Sequence, residues 1–339
     1  INGVDVVGFD PVPAGSPNGP LIWGRGNGDN SLDLPAVLAN PLILTYRVVV
    51  EAGAQSNTDF TNSVLVDWTS LDNSIANSGT YERTGAGCPT ITAPNDYCTG
   101  PATSTITVID TNTFSKDVVL DTYAPTNDAT VRVGDTVTYQ LSLNLQEGTT
   151  RSVNVQDVLP AGLEFVDIVS INGDTTADYS APGAGAGSNF SYPLIPAASL
   201  PAVGDTGILN FPVGDVTNDP AGDATTDTLT IIYRARVIED TLAHIPTTTL
   251  TNTATLQYID GNGAAVVDPA RLQDTSDTTV LQPLLTIPTK TDRSGRTSVT
   301  NVQVATDTMN FRLESCNTTG LSPAYNVKIT DNLDSELDQ

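Results

Sequence analysis

Residues 137–145 read VTYQLSLNL. Val137, Tyr139, Leu141, Leu143 and Leu145 fall on one side of an extended chain, and Thr138, Gln140, Ser142 and Asn144 on the other. A period of two marks a half-buried strand. Residues 114–121, FSKDVVLD, alternate in the same way, with Phe114, Lys116, Val118 and Leu120 on one face. Many such short stretches follow one another, separated by Gly, Pro, Asn and Asp turn signals, and no long helix-period segment interrupts them. This pattern predicts an all-β protein made of tandem immunoglobulin-like β-sandwich domains.

Three polar residues break the pattern. Lys116 lies on the apolar face of its strand. Asp157 is in line with Val153, Val155 and Leu159. Asn252 is in line with Leu250, Ala254, Leu256 and Tyr258. A lone buried charge is costly, so these residues call for a common explanation. Lysine is also scarce: only Lys116, Lys290 and Lys328 occur, against 39 acidic residues. The pattern leaves two readings open. One is a buried Lys–Asp ion pair with the Asn bonded to backbone. The other is a self-made amide bond, in which the Lys116 amine attacks the Asn252 carboxamide and ammonia leaves. The second needs an amine deprotonated by burial, a polarised carbonyl and a proton shuttle, the role assigned to Asp157. Folding supplies the proximity. The bond would form once per domain, so the chain is not expected to be a turnover enzyme.

The chain repeats itself. LILTYRVVV at 42–50 matches LTIIYRARV at 229–237, and FTNSVLVDW at 60–68 matches LTNTATLQY at 250–258, which aligns Asn62 with Asn252. The stretch from Ser115 to Phe165 returns in weaker form from 288 to 337. Lys290 and Asp331 are 331 − 290 = 41 positions apart, as are Lys116 and Asp157, 157 − 116 = 41. Three segments follow. Residues 1–111 are the C-terminal half of one repeat, 112–281 a complete repeat, and 282–339 the N-terminal half of the next. A period this long fits beads on a string rather than a solenoid.

With 339 residues, 39% of them hydrophobic, the chain can bury more than one core. Its formal net charge of −25 argues against nucleic-acid binding and against docking on anionic lipid. No run of about 20 apolar residues is present to span a membrane, and neither a signal peptide nor an initiator Met is seen. Cys88 and Cys98 bracket CPTITAPNDYC, where a local disulfide is expected, with two free thiols as the alternative. Cys316 has no evident partner and reads either as a small buried residue or as one that pairs outside these residues. No metal site is assigned and no cofactor is expected. Asp-rich turns such as DGNG at 260–263 make calcium a candidate ligand, although hairpin turns have the same composition. The Gly-rich APGAGAGSN at 181–189 reads as a loop and not as a phosphate cradle. The single histidine, His244, leaves little room for a Ser–His–Asp site, and no carboxylate pair stands out for glycoside cleavage.

Lys116, VGDTVTYQLSLN, VQDVLPAGLEFV and LTNTATLQY together resemble the conserved repeat of bacterial surface proteins that runs K…vGdtvtY…DtLPaGl.fv…itNtAtv. In outline this repeat is similar to the isopeptide-forming domains of Gram-positive pilins and of antigen I/II-type adhesins. The resemblance covers 112–281 and extends in halves over the rest. It implies a first-strand Lys, a last-strand Asn and an intervening acid, matched here by Lys116, Asn252 and Asp157, with Asn62, Lys290 and Asp331 in the flanking halves. The expected function is a structural or stalk segment of an extracellular or cell-surface fibre or adhesin, with neighbouring repeats or copies as partners. The half repeats at the two ends suggest head-to-tail complementation, although a window taken from a longer repeat array is the simpler reading. The alternative function is a ligand- or calcium-binding adhesin module without crosslinks, using loops at 73–103 and 174–228 for an unidentified surface ligand.

Overall fold

A computed structural model describes residues 20–23, 43–51, 53–69, 97–121, 130–175, 179, 189–219, 227–239, 247–292, 310–318 and 322–334. His244, Cys88 and most of the 73–103 and 181–189 stretches lie outside these residues. The chain divides into two compact units, Ile1–Val50 and Glu51–Gln339. In the first, residues 43–50 carry no strand, and Tyr46 packs on Trp23 with ring centroids 5.3 Å apart.

The second unit is all-β. In chain order its strands are β1 (Asp59–Val64), β2 (Ala102–Thr107), β3 (Thr113–Asp121), β4 (Thr130–Arg132), β5 (Thr136–Leu145), β6 (Gly148–Val158) and β7 (Leu163–Ile171). They continue with β8 (Phe190–Ser191), β9 (Ile208–Asn218), β10 (Asp227–Val237), β11 (Thr247–Ile259), β12 (Gln273–Leu281), β13 (Thr289–Asp292) and β14 (Phe311–Glu314). Among the described residues a short α-helix, α1 (Pro269–Leu272), precedes β12. A four-stranded sheet, β3-β5-β10-β7, and a six-stranded sheet, β4-β12-β11-β6-β9-β8, form a sandwich. Every pairing within it is antiparallel except β4 with β12. The apolar sides of the alternating strands meet between the sheets: Val137, Tyr139, Leu141 and Leu143 from β5, Leu229, Ile231 and Tyr233 from β10, and Val153 and Val155 from β6 are all buried. β1 with β2, and β13 with β14, form separate two-stranded sheets.

The expected loop at 174–228 contains β8, β9 and the first two residues of β10. β9 is an eleven-residue strand in the six-stranded sheet. Pro212, Gly214 and Asp215 gave it the look of a turn. In the fold they make a bulge: the register against β6 shifts between Thr150 and Val153 and again at Asn154. Gly214 has φ +88° and Ser152 φ +53°, and the Ser152 N–H donates to Asp215 Oδ1 at 2.8 Å. Leu209, Phe211 and Val213 are buried before the bulge and Val216 after it. The two-residue rhythm thus changes phase, and a simple alternation search misses the strand. Cys316 is exposed, which removes the reading of it as a small core residue.

The 260–263 turn has a packing role. Asp260 Oδ1 accepts from the N–H groups of Asn262 and Ala264 at 3.0 and 2.9 Å. Gly261 N–H donates to Ser56 O at 2.8 Å, and Asn262 Nδ2 donates to Asn57 O at 2.6 Å. Arg271 grips Asp110 with both terminal nitrogens, at 3.1 and 3.0 Å. Tyr258 donates to the same carboxylate at 2.6 Å. The segment before β3 is therefore fastened to the sandwich at two points. A Cβ on Gly261 would lie 1.7 Å from Thr58 Oγ1 and 2.9 Å from Thr58 Cβ. Gly261→Ala is expected to release the 55–58 turn while leaving the sandwich folded. Exchange of the backbone amide at position 261 should quicken by about tenfold or more, with core amides of β5 and β10 unchanged.

Candidate functional site

Lys116, Asp157 and Asn252 meet between the two sheets. Lys116 comes from β3, an edge strand of the four-stranded sheet. Asp157 and Asn252 come from the neighbouring strands β6 and β11 of the facing sheet. Asp157 is paired with Ala254, two residues along β11 from Asn252, so both side chains point to the same face. Ala254 is small and leaves room above it. Lys116 is 2% exposed, and Asp157 and Asn252 are fully buried. The alternation that put these three on apolar faces was thus a sound guide to their position.

Lys116 Nζ forms an ion pair and hydrogen bond with Asp157 Oδ2. It also donates to the Tyr233 hydroxyl at 3.1 Å. Tyr233 in turn donates to Asp157 Oδ2 at 2.6 Å and accepts from Asn252 Nδ2 at 2.8 Å. The phenol oxygen gives one hydrogen bond and accepts two, so its capacity is full. Lys116 and Asn252 therefore meet through Tyr233. Among the described residues, two acceptors in the cluster have no hydrogen-bond partner, Asp157 Oδ1 and Asn252 Oδ1. Buried polar atoms are normally paired, so both oxygens keep capacity to accept a hydrogen bond.

Aromatic rings wall the cluster. Tyr139 and Tyr233 stack with centroids 5.4 Å apart, and Phe211 lies 5.3 Å from Tyr233. Lys116 Nζ sits 4.7 Å from the centroid of Tyr139. The Tyr139 hydroxyl bonds to Thr278 at 2.9 Å. The backbone N–H of Lys116 donates to Asp274 Oδ2 on β12 at 2.8 Å, which pins the edge strand to the opposite sheet. Burial outweighs the attraction of Asp157 and lowers the Lys116 pKa from 10.5 to about 8. Burial thus favours loss of the amine proton. Burial, reinforced by the Asp157 charge, holds the Tyr233 proton well above the usual phenol range.

The flanking segments carry the same geometry in part. On β13 Lys290 pairs with Leu313 of β14, as Lys116 pairs with Leu141. Lys290 Nζ contacts both Asp331 oxygens at 2.9 Å and lies 4.3 Å from the Phe311 centroid, the counterpart of Tyr139. Here the pair is partly open to solvent, with side chains 37% and 32% exposed. Asn62 on β1 faces Ser104 of β2, as Asn252 faces Ser276, and is exposed. The structure thus joins Lys290 to Asp331 and leaves Asn62 in a separate sheet.

The sequence reading missed Tyr233. Its signal was present: it lies in step with Ile231 and Ala235, and it is repeated as Tyr46 in LILTYRVVV. A tyrosine on an apolar face passes as ordinary core, whereas a lysine does not.

No known family model matches the chain, and no curated protein is detectably similar to it in sequence. Among solved structures it is similar to the full-length major pilin SpaD from Corynebacterium diphtheriae, at 13% identity and a TM-score of 0.29 over 53% of this chain and 36% of that one. It is also similar to BcpA, the major pilin subunit of Bacillus cereus, at 10% identity and a TM-score of 0.27 over 64% of this chain and 65% of that one. A third likeness is to the collagen binding domain of the Erysipelothrix rhusiopathiae surface protein RspB, at 13% identity and a TM-score of 0.24 over 67% of this chain and 60% of that one. In each case the match takes in less than two thirds of the other protein. Likenesses this partial leave the functional reading to rest on the site itself.

An uncrosslinked form, Asn252→Ala, should expose the cost of burying Lys116. Between about pH 8 and 10 the folded state binds fewer protons than the unfolded state, whose lysine titrates near 10.5. Stability should therefore rise with pH in that window, by on the order of 2 kcal/mol. Above about pH 10 the gain should fade, because unfolding frees phenols such as Tyr233 to ionise. Urea titrations across the window check this, and adding Lys116→Met should flatten the rise.

Proposed function

We propose that this chain is a segment of an extracellular fibre, stalk or adhesin built from tandem β-sandwich units, each fastened by an internal Lys–Asn amide bond. The observation that carries this reading is the buried cluster joining Lys116, Asp157 and Asn252 across two sheets. An ion pair serving stability alone would be a poor use of the site, because a buried pair seldom exceeds the cost of desolvating it. The bond forms with loss of one ammonia: the Lys116 amine attacks Asn252 Cγ, and Asp157 takes the proton that frees it. Effective concentration in the folded core replaces turnover catalysis.

A bond from β3 to β11 would close a loop of 252 − 116 = 136 positions. By analogy with disulfide loop closure it would stabilise the unit by about 5 kcal/mol, and reductants would not open it. A fibre exposed to tension outside the cell is the setting in which such a tie is useful. Cys98, buried beside Asp67, is proposed to pair with Cys88, consistent with the same oxidising surroundings.

The two flanking half-sites extend this reading. Residues 1–111, which hold Asn62, contain no lysine, and among the described residues no Asn side chain is bonded to Lys290 or Asp331. Each would be completed by the complementary half of an adjacent repeat, in the same chain or in a neighbouring copy. The apolar faces beside them agree with this, since Phe60, Val64 and Ile106 at one site and Phe311 and Leu313 at the other are exposed.

The intact mass of the reduced chain tests the proposal. One ammonia should be missing, and Lys116→Ala or Asn252→Ala should restore it. A denaturing gel of the concentrated protein tests the half-sites: covalent multimers abolished by Asn62→Ala are expected if copies complete one another. A full unmodified mass would refute the crosslink and leave a buried polar network.

A further inference from the structure

We propose that Tyr233 is a catalytic residue of the crosslinking reaction, a relay that carries a proton from Asp157 to the departing nitrogen of Asn252. The inference rests on the self-crosslinking reading above and assigns a role that the Lys, Asp and Asn do not fill. The hydrogen bonds of the site run from Lys116 to Asp157, from Tyr233 to Asp157 at 2.6 Å, and from Asn252 Nδ2 to Tyr233 at 2.8 Å. The acid and the leaving nitrogen are therefore bridged by one phenol oxygen.

The proton balance closes through that oxygen. Lys116 starts as an ammonium and passes a proton to Asp157 through their direct contact. The freed lone pair attacks Asn252 Cγ. The new C–N bond leaves the lysine nitrogen with a surplus proton and Oδ1 with a negative charge. Once its carbon is tetrahedral, Nδ2 is no longer a flat amide donor. Rotation about its bond to Cγ turns the new lone pair toward Tyr233 in place of the N–H that pointed there, and the Tyr233 O–H, no longer facing a carboxylate, turns to meet it. Asp157 gives its proton to the Tyr233 oxygen while Tyr233 gives its own to Nδ2. Asp157, a carboxylate again, takes the surplus proton from the lysine nitrogen. The old C–N bond breaks, the carbonyl re-forms and ammonia leaves. One proton remains on Asp157 and Tyr233 is unchanged.

Two further features fit a relay. Burial and the Asp157 charge keep the phenol protonated, so it passes protons without ionising. Its ring is held by Tyr139, Phe165 and Phe211, with centroids 5.3–6.1 Å away, so the hydroxyl is fixed between its partners.

The test uses chain recovered unfolded and uncrosslinked in urea, then refolded by dilution, with ammonia loss followed by mass spectrometry. Tyr233→Phe keeps the ring and removes the hydroxyl. It should slow the reaction about a hundredfold, within the usual range for general acid–base catalysis. Tyr258→Phe, which removes a hydrogen-bonded hydroxyl far from the reacting atoms, should react at the wild-type rate. Wild-type protein refolded in mixtures of light and heavy water gives a second readout that needs no variant. Two protons moving together predict a curved dependence of rate on deuterium fraction. Unslowed crosslinking in Tyr233→Phe, or a linear dependence, would overturn the relay while leaving the crosslink intact. A wild-type chain that never loses ammonia would overturn the crosslink itself, and the relay with it.

Discussion

Everything in the sandwich is arranged around one ammonium group held out of water between two sheets. An isolated charge in such a place would not be tolerated. Lys116 is tolerated because Asp157 faces it, Tyr233 accepts from it, and the rings of Tyr139 and Tyr233 present their faces to it. Each of these partners comes from a different strand or sheet position. The register of β3 on β5, of β5 on β10 and of β6 on β11 must therefore all be right at once. A one-residue slip in any of them would turn a partner to the other face. The cluster thus specifies the fold as well as using it.

The desolvation that makes the site expensive also makes it reactive. The same burial that lowers the Lys116 pKa raises that of Tyr233. Under the proposed crosslink, the first shift would favour the nucleophile and the second would keep the relay protonated. The unpaired oxygens of Asp157 and Asn252 belong to the same logic. In the proposed reaction, conversion to an amide would remove the charge that makes the site costly. Stability and chemistry would then be coupled, because the proposed bond would remove a buried ion pair.

Much of this was legible in the sequence, and for physical reasons. Lys116, Asp157 and Asn252 stood out because a period of two forces each onto a face where its chemistry does not belong. Lys290 and Asp331 were found through spacing, and their contact at 2.9 Å follows that spacing. β9 was hidden because a bulge at Gly214 shifts the phase of its pattern, and Pro212 mimics a turn. Tyr233 was hidden for the opposite reason: its ring fits the core so well that the hydroxyl drew no notice. Sequence patterns reveal residues in conflict with their surroundings more readily than residues that serve two roles at once.

The central claim is mechanical: load entering at β3 should cross from Lys116 to Asn252 and leave through β11 and β12, bypassing what lies between. Single-molecule stretching of the middle unit, held at residues 112 and 281 within the full chain, measures this directly. Wild-type protein should extend less than Asn252→Ala by the length of the bypassed 136 positions, roughly 450–490 Å. Equal extension of the two proteins would mean that no covalent tie joins the sheets, and would contradict the account.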